Sequence, residues 1–273
     1  MKIGIIGFGN MGSAIARRIA GSDYEIWVSD KDKKKIGGLK SLHAAERNPD
    51  LVSKVEVVVI AVKPQDADWL FREIRPQVKG KLVISIAAGL GTAYIEKALP
   101  GARVVRAMPN IAATIGEAVT CISAGTSATE EDLEFAEQLF YAIGVVKKIE
   151  EAMINAATAI SGSGPGYIFD FINTNSLTPQ NIPEHLKHDL MLRLEKAAEA
   201  VGFKHQDAVF LAVNTVNSSI SLMKTTKLPA AELIKQVASK GGTTEAALAV
   251  LHKGGTWEEA AQAALKRAKE LAR

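Results

Sequence analysis

A single cysteine, Cys121, serves the whole 273-residue chain. No disulfide can therefore form within it, which favours a reducing, intracellular setting. Set in an apolar run, Cys121 reads as a small core residue rather than a nucleophile. Net charge is scarce too: 33 basic against 30 acidic residues leave a formal +3, and no long basic run gathers to meet nucleic acid. Long hydrophobic runs are missing, so no membrane span is expected. His43, His185, His188, His205 and His252 form no catalytic triad, and there is no Cys/His cluster for zinc. His185 and His188 read as a surface pair on one helix, and no metal is expected. With a first strand expected from Lys2, no leader peptide is expected. A cytoplasmic protein is the expectation.

What the chain does have begins at once. Lys2 to Ile6 is a strand-length apolar run, and Gly7-Phe8-Gly9-Asn10-Met11-Gly12 follows as G-x-G-x-x-G. Helical spacing then continues from Ser13 to Ala20. In that order Gly7 permits a tight turn, Gly9 lets a pyrophosphate reach the backbone, and Gly12 packs the helix on the strand. The helix start offers free N–H groups and a positive dipole end to the phosphates.

Further strands are expected at Glu25–Ser29, Val55–Val62, Leu82–Ile86, Arg103–Ala107, Val119–Ile122 and Val145–Ile149. Near-continuous β-branched runs separated by helices point to a parallel, doubly wound sheet covered on both faces. Beyond Glu151 only helical periodicity remains, at Leu190–Val201, His205–Met223, Ala230–Val237, Thr244–Leu251 and Trp257–Leu271. Thr256-Trp257-Glu258-Glu259 is a capping box for the last of these. The expected fold is α/β: a Rossmann-type, mostly parallel domain over residues 1–150, then an all-helical domain over residues 151–273.

Candidate chemistry lies at the carboxyl ends of strands, where doubly wound sheets bind ligands. Ser29 and Asp30 end the second strand, about 20 residues beyond the glycines, where an acid meets the adenosine ribose. The Asp30 carboxylate favours NADH by accepting from a 2′-hydroxyl. Lys31 and Lys33 to Lys35 pull toward NADPH, so the sequence leaves both cofactors open. Ala61-Val62-Lys63-Pro64 and Met108-Pro109-Asn110 end two later strands at the same edge. In the helical half, Ser161-Gly162-Ser163-Gly164-Pro165 precedes one helix, and Ser239-Lys240-Gly241-Gly242-Thr243-Thr244 leads into another. Paired glycines present consecutive N–H groups at a helix start, a ready carboxylate site.

Taken in this order, the motifs resemble the pyrroline-5-carboxylate reductase family over nearly the whole chain. The resemblance implies reduction of the ring C=N of 1-pyrroline-5-carboxylate to L-proline with NADPH or NADH. It implies cofactor contacts at Gly7 to Gly12, Ala61 to Pro64 and Met108 to Asn110, with Asn48 at the adenosine ribose. The substrate would sit at Ser239, Gly241, Gly242 and Thr243. The Gly242 and Thr243 amides would take its carboxylate, and the Thr244 hydroxyl would bond the ring nitrogen during hydride transfer. A homodimer or a ring of dimers, paired through the helical domain, is also implied.

Three departures accompany the resemblance. Lys240 stands where the family often has proline, and Lys227 where many members carry an acid. Asp170 to Asp189 looks like an insertion of about twenty residues, either a surface loop or a change to the dimer. Two other readings compete. One is a two-domain 3-hydroxyacid dehydrogenase, for which Lys196 is a nominal general base. The other is a nucleotide-binding regulator without turnover.

Overall fold

Eight strands join in one sheet in the computed structural model, which describes residues 1–20, 23–37, 41–178 and 180–273. They are β1 (Lys2–Ile6), β2 (Glu25–Ser29), β3 (His43–Ala44), β4 (Val57–Ile60), β5 (Leu82–Ser85), β6 (Arg103–Met108), β7 (Ala118–Ala124) and β8 (Gly144–Lys148). Their order is β3-β2-β1-β4-β5-β6-β7-β8. β1 pairs in parallel with both β2 and β4, β4 with β5, and β5 with β6. The chain therefore reverses its direction of winding between β1 and β4, and the carboxyl ends there form the natural ligand crevice.

Val57–Ile60 is buried at every position because helices cover both faces. The crossover helices are α1 (Asn10–Ile19), α2 (Asn48–Lys54), α3 (Pro64–Ile74), α4 (Thr92–Ala98) and α5 (Glu130–Tyr141). On one face, Leu51 of α2 and Phe71 of α3 share a core with Val58 and Val83. The Val55–Val62 run is trimmed at both ends, since Pro64 opens α3 and Ala61 to Lys63 leave the ladder to border the crevice.

The parallel run ends at β6. β7 runs antiparallel to β6, with Met108 opposite Cys121 and Val105 opposite Ala124. The link from Met108 to Ala118 is too short for a parallel crossover, which needs about a dozen residues or more. The two-residue β3 has no readable periodicity, and its His43 and Ala44 are exposed.

The chain divides into two compact units, one comprising Met1–Met108, Cys121–Glu151 and Arg273, the other Pro109–Thr120 and Ala152–Ala272. The second contains α6 (Ile154–Ala157), α7 (Gly164–Thr174), α8 (Glu184–Ala200), α9 (His205–Thr226), α10 (Ala230–Val237), α11 (Thr243–Leu251) and α12 (Trp257–Leu271). It takes in residues 109–120, which the linear pattern assigns to the sheet domain. The Ser221 hydroxyl of α9 donates to Glu117 at 2.8 Å, which helps to tie that segment to the helices. The expected insertion falls across the end of α7 and the start of α8; Pro179 within it lies outside the described residues. α12 carries the expected capping box, Thr256 with Glu259. No described helix is long and apolar enough to cross a membrane.

Candidate active site

The glycine motif builds the turn from β1 to α1. Gly7 adopts φ 99°, a left-handed conformation that side chains rarely tolerate. A Cβ on Gly12 would fall 1.9 Å from the Gly7 carbonyl oxygen, so close helix–strand contact requires glycine there. A Cβ on Gly9 would meet nothing within 4 Å. Gly9 thus opens onto free space at the N-cap of a ten-residue helix with no acidic side chain in its first turn. That cradle fits the pyrophosphate of a dinucleotide.

A cleft of about 350 Å³ extends from the motif, lined among others by Gly7, Gly9, Asp30, Asn48, Ala61 and Lys63. Ala61 and Val62 abut Gly7, which sets them at the glycine end of the cleft. The Asp30 side chain is 8% exposed. It accepts from the Phe8 N–H at 2.6 Å and from the Asp32 N–H at 2.8 Å, and Lys35 approaches to 3.7 Å. Burial alone would raise its pKa; the Phe8 and Asp32 N–H groups, with Lys35, outweigh that and hold it below the ordinary carboxylate value. Asn48 opens α2, accepts from the Ser29 hydroxyl at 2.7 Å and donates to Glu73 at 2.7 Å.

Met108, Pro109 and Asn110, which the sequence places at a strand end, stand at the end of β6 and just beyond it. Met108 ends β6. Asn110 caps the turn at Ile111–Ile115 and also accepts from the Val119 N–H at 3.2 Å. Its Nδ2 is buried with no partner among the described residues.

The second unit has its own polar turn, ahead of α11. Gly241 takes φ 68°, and a Cβ on Gly242 would strike the Ser239 hydroxyl at 2.4 Å. The Gly242 N–H, expected to face a carboxylate, donates instead to the Ser239 carbonyl at 2.9 Å. α11 begins at Thr243, so the Thr243 and Thr244 amides are the first without an intrahelical acceptor. The Thr244 side chain is buried against α7, where a Cβ on Gly166 would lie 2.4 Å from its methyl group. Thr243 shares a hydrogen bond with the Ser163 hydroxyl at 2.9 Å.

Three supports of this turn escaped the sequence reading. Glu245 accepts from the Gly241 N–H at 2.6 Å, and Arg267 of α12 donates to the Gly241 carbonyl at 2.7 Å. The third is a π-helical turn at Thr158–Gly162, which delivers Ser163 toward Thr243. Only Glu245 left a trace in the sequence, as an acid in the first turn of a helix. Lys227 ends α9 with φ 56°, acting through its backbone as a left-handed cap.

Known proteins match the chain on both sides. A family model described as NADP oxidoreductase, coenzyme F420-dependent, matches residues 2–89, and one described as pyrroline-5-carboxylate reductase dimerisation matches residues 189–271. The latter begins where the expected insertion ends. A pyrroline-5-carboxylate reductase of Methanosarcina acetivorans is 33% identical over 99% of this chain and 97% of its own. That of a Synechocystis species is 34% identical over 99% of this chain and 98% of its own. Among solved structures, the Coxiella burnetii enzyme aligns with TM-score 0.66 and 31% identity over 99% of this chain and 98% of that one. The Plasmodium falciparum reductase, solved with NADP bound, gives 0.65 and 27% over 100% and 98%. With such identity sustained end to end, the chain belongs to the pyrroline-5-carboxylate reductase family.

Proposed function

We propose that this protein reduces the ring C=N bond of 1-pyrroline-5-carboxylate to give L-proline, the last step of proline synthesis, using NADH or NADPH. The observation that carries the reading is the start of α11, where open amides adjoin the buried Thr244 hydroxyl. A nicotinamide cofactor supplies the hydride when bound; the chain's own residues do the rest. Gly7, Gly9 and Gly12 shape the cradle for its pyrophosphate, while Asp30 and Asn48 face the ribose. The Thr243 and Thr244 amides hold the substrate carboxylate, in a turn shaped by Ser239, Gly241 and Gly242. The Thr244 hydroxyl bonds the ring nitrogen, where electrons collect as hydride adds to the neighbouring carbon and where a proton is taken up. An electrophilic C=N needs no strong base, which suits a site without histidine. The 3-hydroxyacid alternative does need one, and Lys196 is exposed on α8 with no supporting motif.

We also infer a homodimer formed through the helical unit, supported by the dimerisation-model match, with a ring of dimers as the larger assembly. A cytoplasmic location accords with the single cysteine. The test monitors NADH and NADPH absorbance with 1-pyrroline-5-carboxylate and then with 3-hydroxyacids. Oxidation is expected with the imine only. A folded dimer that turns over neither cofactor with the imine overturns the reading.

A further inference from the structure

The residues at the ribose end of the dinucleotide cleft decide between the two cofactors. The Plasmodium falciparum relative holds NADP, so the family's fold admits a 2′-phosphate and side chains must make the choice. Here the side chain at the end of β2 is Asp30, nine-tenths buried and lining the cleft. Its carboxylate cannot swing away without breaking two backbone bonds. Oδ2 accepts from the Phe8 N–H, inside the glycine motif itself, and Oδ1 accepts from the Asp32 N–H. The negative charge is therefore fixed in place and tied to the same turn that cradles the pyrophosphate.

Three of the four lysines that argue for a phosphate are already occupied, and the fourth, Lys34, is exposed and not among the residues lining the cleft. Lys31 pairs with Asp66 at 3.2 Å, and both line the cleft. Lys35 lies 3.7 Å from Asp30. Lys33 donates to the carbonyls of Ala45 and Glu46. In each of the two ion pairs the lysine already faces a carboxylate, so neither offers a free cation to an incoming dianion. Lys63 also lines the cleft, but it comes directly after Ala61 and Val62, which abut Gly7 at the pyrophosphate end. A 2′-hydroxyl has the opposite fit, because it donates to a carboxylate that still has open lone pairs.

We propose that Asp30 determines cofactor choice in this chain, accepting a hydrogen bond from the adenosine 2′-hydroxyl of NADH and excluding the 2′-phosphate of NADPH. The inference rests on the dinucleotide site of the proposed function, and its test reads binding rather than turnover. Calorimetric titration of the full-length protein with NADH and with NADPH should show NADH bound at least about tenfold more tightly, a factor equal to about 1.4 kcal/mol. Asp30→Asn, which keeps the shape but removes the charge, should narrow that ratio mainly by strengthening NADPH. ADP-ribose and its 2′-phosphorylated form, titrated into the unaltered protein, should repeat the preference and need no variant to fold. Equal or tighter binding of NADPH by the unaltered protein overturns the role of Asp30 while leaving the reductase reading intact. Failure of both dinucleotides to bind overturns the site itself.

Discussion

The hydroxyls of Ser163 and Thr243 meet at 2.9 Å, joining two motifs that lie 80 residues apart. Ser163 is buried and comes just after a π-helical turn, its N–H bonding the Thr158 carbonyl at 2.9 Å. Such turns insert an extra residue into a helix and re-aim the side chains beyond it. Here the re-aimed side chain braces the first residue of α11, and so the start of the amide cradle.

Ser163→Ala removes that brace without adding bulk. The expected cost is about 1 kcal/mol of stability, the net worth of a buried hydrogen bond. KM for the imine should rise several-fold while the NADH dissociation constant stays unchanged. Steady-state kinetics and a dinucleotide titration on one preparation check this; an unaltered KM argues that the brace has no bearing on substrate.

Thr244→Val replaces the buried hydroxyl with a methyl of similar volume. We expect kcat to fall about a hundredfold, on the scale of lost proton-transfer assistance. Cofactor affinity should hold. Equal losses in both quantities contradict the assignment of the hydroxyl to the ring nitrogen.

Gly12→Ala places a methyl group against the Gly7 carbonyl, 1.9 Å away before any relaxation. The obstacle is backbone rather than a flexible side chain, so α1 must move from β1. A loss of about 2–3 kcal/mol in urea unfolding is expected, along with dinucleotide binding. Retention of both would show that the helix need not approach so closely.

Asp132 supplies a pH-dependent element remote from the chemistry. It accepts from Arg103 at 2.8 Å and from the Thr129 N–H at 3.0 Å, at the start of α5. Burial alone would raise its pKa; the Arg103 bond and the Thr129 N–H prevail and lower it below 3.8. A lowered carboxyl pKa means that the folded state binds its proton less readily than the unfolded state. The stabilisation is therefore complete above that ordinary value and is lost as pH falls through the folded one. Asp132→Asn should cost about 1 kcal/mol near neutrality, and the gap from the unaltered protein should close in acid. Urea midpoints measured from neutral to acid pH test this, and a gap independent of pH counts against it.

Local features were legible in the sequence. The strand–glycine–helix unit, the limits of β2, α10 and α12, and the Thr256 capping box all arise from neighbours a few residues apart. Other features depend on partners far along the chain. β7 looks like any parallel strand until the short link from Met108 forces it to turn back. Arg267 carries no motif, and only the packing of α12 against α11 brings it to Gly241.

By itself, the sequence determined that a dinucleotide cradle opens the chain, that a glycine–threonine helix start lies near its end, and that the two belong to one family pattern. Those conclusions rest on backbone conformation and short-range periodicity, which neighbouring residues dictate. Tertiary structure alone decided which hydrogen-bonding groups stay open. The Gly242 amide is consumed by Ser239, three lysines are taken by Asp66, Asp30 and backbone carbonyls, and the Asp30 carboxylate is pinned to Phe8. A polar group's availability depends on the partners that folding brings within about 3 Å of it, and no linear pattern records that distance.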